Sequence, residues 1–341
     1  MRHYDRRVRL ARLVLAACLC AALAGAASAA RERASERRVK TLTFVYRSHA
    51  GVERKAYLVV PAWYGERNHP AIPLVISPHG RGVDGAYNLR FWGELPARGP
   101  FALVSSDGQG RRLPLYSWGY PGQVDDLARL PGFATKAFPW LTLDPRRLYA
   151  VGDSMGGQES LLLVARHELR LAGVAAFDPV TDMPVQYRNW FVTPGEQRLP
   201  ARAKIEFGGT PAQVPHAYAV RSPSFWLNAI AHSGVPLQLW WSFRDRVIVD
   251  QAGQTGRFFR RLHSVAPAAP IQEIVGYWQH AHEMHPGTQL PAALACLGLI
   301  APAGIRVPAY RRDGTDGHIE ELPPERRRAQ VPFATSFCGR A

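Results

Sequence analysis

Three short segments carry residue types whose chemistry fits together. Gly152-Asp153-Ser154-Met155-Gly156 sets a serine among small neighbours, with Gly157 following. A serine hydroxyl becomes a nucleophile toward a carbonyl carbon when a strained strand-to-helix turn presents it and a base takes its proton. The attacked oxygen gains negative charge, which fixed N–H donors must meet. The N–H of Met155, just after the serine, is one expected donor. The other is expected in Ser77-Pro78-His79-Gly80-Arg81-Gly82, where two glycines let the chain turn its amides inward. The N–H of Arg81 is assigned, with Gly82 as the alternative.

A base and an acid complete such a relay, in the order Ser, acid, His. Asp245 follows the apolar run 237–243 and is the expected acid. Asp250 is a runner-up, with Asp178 and Asp182 further behind. Three histidines compete for the base in Gln279-His280-Ala281-His282-Glu283-Met284-His285. His282, after the small Ala281, is preferred to His280, and His285 is read as opening the last helix. No cofactor or metal is called for, because His280 with His282 alone makes a poor metal site without further ligands.

The elements that must position these groups are read from periodicity. Residues 39–46 and 55–60 read as a hairpin around the turn at 48–51. Residues 73–77, 101–105, 147–151, 171–177, 237–243 and 271–278 are short apolar runs of the kind buried on both sheet faces. Helices are expected at 87–95, at 124–140 with a break at Pro131-Gly132, and at 158–167, 251–262 and 287–299. Alternating strands and helices predict an α/β fold, a mainly parallel sheet with helices on both faces. The rhythm lapses at 181–233, rich in Pro, Gly and aromatics. That stretch reads either as a lid-like insertion or as a packed surface loop with a helix at 224–231.

The 341 residues are 47% hydrophobic and 20% charged, as in an ordinary globular chain. Five Arg precede an apolar stretch at 13–25, and Ala27-Ser28-Ala29 offers small residues for cleavage. This predicts a signal peptide over 1–29, a catalytic domain over 30–305, a tail over 306–341, and a secreted or cell-envelope protein. Leu15-Ala16-Ala17-Cys18 also has the form of a lipoprotein signal. The apolar stretch is short for a membrane span. The net charge is +15, yet five of 42 basic and one of 27 acidic residues lie before residue 30, which leaves about +11. Only Lys40, Lys55, Lys136 and Lys204 are lysines, and the arginines are scattered. No nucleic-acid motif accompanies them, so no nucleic-acid partner is expected. Cys296 and Cys338 are expected to pair in an oxidising compartment.

These segments resemble the α/β-hydrolase superfamily, in its prolyl-oligopeptidase-like and esterase-like branches. The resemblance runs from about 41 to 299. It is carried by Ser77-Pro78-His79-Gly80, by Asp144-Pro145-Arg146-Arg147-Leu148-Tyr149 leading into the serine motif, by Arg221-Ser222-Pro223, and by Asp245-Arg246-Val247-Ile248 with Gln251. It implies an α/β-hydrolase fold with Ser154, Asp245 and His282 as nucleophile, acid and base. The residues between Ala30 and Leu74 are too few for the peptidase family's propeller, and the Ser-Met-Gly-Gly elbow is more similar to that of esterases. The implied activity is hydrolysis of a small-molecule or polymer ester through an acyl-enzyme. A serine peptidase and an inactive binding protein on the same fold are the alternatives. Trp92, Trp190, Trp240 and Trp241 are candidates for a pocket or for the core.

Overall fold

The computed structural model describes residues 38–166, 169–282, 284–285, 287–308, 330–334 and 338. The expected signal segment and Cys18 lie outside the described residues, as does most of the expected tail.

Strands β1 (Val39–Arg47) and β2 (Glu53–Pro61) form the expected hairpin, with register from Val39 opposite Pro61 to Arg47 opposite Glu53. They join β3 (Ile72–Ile76), β4 (Ala102–Ser106), β5 (Leu143–Asp153), β6 (Leu171–Phe177), β7 (Leu237–Ser242) and β8 (Ile271–Gly276) in one eight-stranded sheet, ordered β1-β2-β4-β3-β5-β6-β7-β8. From β4 onward all neighbours are parallel, whereas β1, β2 and the β2–β4 contact are antiparallel. Every residue of β3, β4 and β7 is buried, which is why these segments read as unbroken apolar runs.

Two cores flank the sheet. One packs Leu58, Leu74, Leu148 and Val174 against α-helical Val124, Leu127, Leu161 and Phe258; the other packs Val75, Leu103, Val151 and Ile274 against Trp92 and Leu294. Trp92, Trp240 and Trp241 are core residues, each at most 1% exposed. The helix expected to break at Pro131 instead runs unbroken from Pro121 to Ala137. Its Val124, Leu127, Leu130 and Ala134 form a buried stripe, and that burial offsets the one backbone bond a proline cannot donate.

The helix expected at 251–262 is a π-turn (Ala252–Gly256) followed by an α-helix (Arg257–Val265), and the expected helix at 87–95 is three short turns. Between β6 and β7 lie helices Met183–Asn189, Leu199–Phe207, Pro215–Ala219 and Leu227–Ala231. The first two bring Met183, Tyr187, Trp190, Ala203 and Phe207 into a third core that includes Met155. Residues Arg306–Pro308 pair with Gln330–Pro332, and Cys296 forms a disulfide with Cys338. No helix among the described residues is long and apolar enough to cross a membrane.

Candidate active site

β5 ends at Asp153, and the helix Ser154–Arg166 begins on the next residue. The expected helix start at 158 therefore moves back to the serine itself. Ser154 has φ +54°, a left-handed conformation that costs a non-glycine residue energy and recurs where function demands it. The turn is possible only because its neighbours lack side chains. A Cβ on Gly156 would stand 2.2 Å from the Pro78 carbonyl oxygen, and one on Gly152 would stand 2.7 Å from the backbone of Gly156.

Met155, 1% exposed, occupies the first turn of that helix. Its sulfur accepts from the Trp118 N–H at 3.2 Å and the Ser117 hydroxyl at 3.4 Å. Ser117 Oγ also donates to Glu159, whose carboxyl burial raises to about 7. The amide of Met155 is thus held at the positive end of a helix by side-chain contacts beneath it.

The loop after β3 is organised by His79. The Gly108 N–H donates to His79 Nε2 at 3.0 Å, so Nε2 is the acceptor and Nδ1 carries the proton. Nδ1 donates to the Gly80 carbonyl at 2.8 Å. Burial lowers the pKa of His79, which keeps the ring neutral in this tautomer. The chain has no cis peptide among its described residues, so the Arg81 N–H points opposite to the Gly80 carbonyl. The imidazole therefore sets the direction of the Arg81 amide. The alternative donor, Gly82, already gives its N–H to the Leu115 carbonyl at 2.9 Å. The Arg81 guanidinium lies 2.9 Å from Glu196, in the segment between β6 and β7.

Asp245 follows β7 and is 7% exposed. One oxygen accepts the N–H groups of Val247 and Ile248 at 2.8 and 2.9 Å. The other accepts from Gln251 Nε2 at 3.1 Å and His280 Nδ1 at 2.8 Å. Burial pushes the Asp245 carboxyl up, but the imidazolium and these donors outweigh it and hold its pKa below the usual value.

The histidine that meets Asp245 is His280, and the preference for His282 is corrected. Ala281 takes φ +57°, and its N–H donates to Asp178 Oδ2 at 3.0 Å. This turn directs His280 inward. His282 is exposed, its ring centroid 5.7 Å from that of His285, whose own ring packs edge-on against Phe91 at 4.8 Å. The runners-up for the acid separate clearly. Asp250 accepts the Gly253 N–H at 2.9 Å, and Asp182 caps a helix by accepting the Val185 N–H at 3.0 Å. Asp178 does reach the site, with Oδ2 4.0 Å from His280 Nδ1.

A third carboxylate, Asp153, occupies a variable position of the serine motif, so the motif itself does not single it out. It is 4% exposed, and its Oδ1 has no hydrogen-bond partner among the described residues. Its Oδ2 lies 3.3 Å from where a Gly80 Cβ would stand. Burial raises its carboxyl to about 6, and the charge of His280 pulls it back. Burial disfavours the charged His280 ring, yet Asp245, Asp178 and Asp153 together lift its pKa to about 9. Asp178, Asp245 and His280 bring three potential ligand atoms within 4.8 Å of one another. The 2.8 Å Asp245–His280 contact is hydrogen-bond geometry, so this cluster reads as an acid–imidazole pair.

No family model matches the sequence, and no curated protein matches it. Solved structures do. An esterase from Rhizomucor miehei aligns over 79% of this chain and 87% of its own, at 15% identity and TM-score 0.59. The chain has the α/β-hydrolase fold. A fluorophosphonate-binding serine hydrolase of Staphylococcus aureus aligns over 76% of this chain and 98% of its own, at 13% identity and TM-score 0.55. The Pyrococcus horikoshii acylaminoacyl peptidase aligns over 72% of this chain at 15% identity and TM-score 0.54, and this chain spans 38% of that protein's length. At these identities the likeness is one of fold, and it agrees with the fold expected from strand order and motifs. In such sheets ligands bind at the carboxyl ends of the strands, where Ser154, Asp178, Asp245 and His280 all lie.

Proposed function

We propose that the protein is an exported serine hydrolase that cleaves a carboxylic ester through an acyl-enzyme on Ser154. The observation that carries this reading is the Asp245–His280 pair at 2.8 Å, which lies at the carboxyl ends of the strands, as does a serine in a left-handed turn. Asp245 accepts from Nδ1, which leaves Nε2 to take the proton of the Ser154 hydroxyl. The oxygen attacks the ester carbonyl, and the N–H groups of Met155 and Arg81 receive the oxyanion. Collapse expels the alcohol, protonated by His280. Water, deprotonated by the same ring, then releases the acid and restores the serine. These steps need no cofactor.

The ester preference rests on the Ser-Met-Gly-Gly elbow and on the two hydrolases whose chains align over most of their length. A peptidase reading has a narrower support: the Arg221-Ser222-Pro223 and Asp245-Arg246-Val247-Ile248 segments and the partial alignment with acylaminoacyl peptidase. A panel of p-nitrophenyl acyl esters and aminoacyl p-nitroanilides separates the two. Turnover of esters with little of the anilides is expected, and cleavage of anilides alone would reject the ester assignment.

A further inference from the structure

At the opposite ends of the strands from Ser154 lies a pocket of about 550 Å³ that the hydrolytic reaction leaves unused. Trp63, Phe138 and Trp140 form its aromatic floor, and Lys40, Glu66, Arg67 and Asn68 stand around it. Lys40 is the second residue of β1, opposite Val60, Trp63 follows β2, and Trp140 precedes β5. β5 is 11 residues long. At ~3.3 Å per residue it separates this pocket from Ser154 by roughly 35 Å.

The pocket is preorganised. Tyr64, fully buried, lies between the two indoles, with ring centroids 5.7 Å from Trp63 and 5.8 Å from Trp140. Its hydroxyl donates to the Thr142 carbonyl at 3.0 Å and accepts the Thr142 N–H at 2.9 Å, which ties the loop after β2 to the entry of β5. Gly65 and Asn68 exchange both backbone hydrogen bonds at 2.9 Å, so Glu66 and Arg67 sit at the tip of a tight turn. Lys40 Nζ stands 5.5 Å from the Trp140 ring, a cation–π contact that covers one side of the indole. Both indoles remain partly exposed.

The lining selects the chemistry of the occupant. A purely apolar ligand would strip water from Glu66, Arg67 and Asn68 without returning hydrogen bonds. A polyanion would meet Glu66, and a polycation would meet Lys40 and Arg67. A pyranose ring fits both demands: its C–H face lies on an indole while its equatorial hydroxyls reach carboxylate, guanidinium and amide groups that each offer paired donors or acceptors. We infer that this pocket is a non-catalytic binding site for a neutral glycan chain, remote from Ser154, that docks the protein on polysaccharide.

The test is co-sedimentation of the full protein with cellulose, chitin and mannan particles, run beside p-nitrophenyl acetate hydrolysis. Retention on at least one polysaccharide is expected. Trp63→Ala and Trp140→Ala should each weaken retention tenfold or more and leave ester turnover within about twofold, because the site lies so far from the serine. Asn68→Ala and Arg67→Ala are exposed changes that keep the fold. They should weaken retention severalfold, and they carry the test if a tryptophan variant fails to fold. Retention on none of the three particles, retention that survives all four substitutions, or binding to phosphatidylcholine vesicles in their place would overturn the inference. Loss of ester turnover in the unsubstituted protein would instead count against the hydrolase reading alone.

Discussion

His280 feels the charge of three carboxylates, one more than an acid–imidazole pair and a neighbouring charge require. Asp245 orients the ring, Asp178 fixes the turn after it, and Asp153 adds negative charge beside the serine. The ring works as a base only when neutral, and its pKa is raised to about 9. Activity is therefore expected to climb as pH rises, with kcat/KM reaching half its plateau near 9 and falling tenfold per pH unit below that. Asp153→Asn removes one of the charges and should move this midpoint to lower pH. A midpoint that stays put would show that Asp153 does not act on the ring. His280→Ala should reduce kcat about 10⁴-fold or more, as losses within such relays do, whereas His282→Ala should stay within about twofold. The places of Ser154 at a strand-to-helix turn and of Asp245 after β7 were legible in the sequence, because each follows a strand in the expected order. The histidine was not. Three histidines fall within six residues, and the one that turns inward is decided by the Ala281–Asp178 contact, between residues 103 apart in sequence.

At the scale of elements, the β5–turn–helix unit does the positioning. Glycines at 152 and 156 let the helix start pack against the loop after β3, with Gly156 set against the Pro78 and His79 carbonyls. Gly156→Ala would drive a methyl group to 2.2 Å from the Pro78 oxygen, a backbone atom that cannot step aside. Loss of several kcal/mol is expected, read as a large drop in Tm or as insoluble protein. A variant with native Tm would show that the elbow has slack. The buried strands were legible because burial on both faces leaves an unbroken apolar signature, as in Ile72–Ile76 and Leu171–Phe177. The helix Pro121–Ala137 was misread at its middle because a proline's local penalty was outweighed by tertiary burial, which a local pattern does not contain. The short helices between β6 and β7 were obscured by prolines at their first turns, which mark starts as readily as breaks.

Across the whole molecule, the strands of one sheet have two unlike ends: buried charges and a strained serine at one, an open aromatic pocket at the other. The Cys296–Cys338 disulfide closes a 42-residue separation and fastens the chain end beside the helix Leu290–Cys296. Its removal by Cys338→Ser should cost ~2–4 kcal/mol through the added freedom of the unfolded chain, visible as a fall of several degrees in Tm. Ester turnover at 25 °C should persist, because no site residue touches it; an unchanged Tm would mean the bond stabilises nothing. The relay itself is tested most directly by reacting the folded protein with a fluorophosphonate at pH 9 and mapping the adduct by peptide mass spectrometry. A single adduct on Ser154, absent from Ser154→Ala and greatly slowed in His280→Ala, is the predicted result. An unlabelled protein, or an adduct on any other residue, would contradict it.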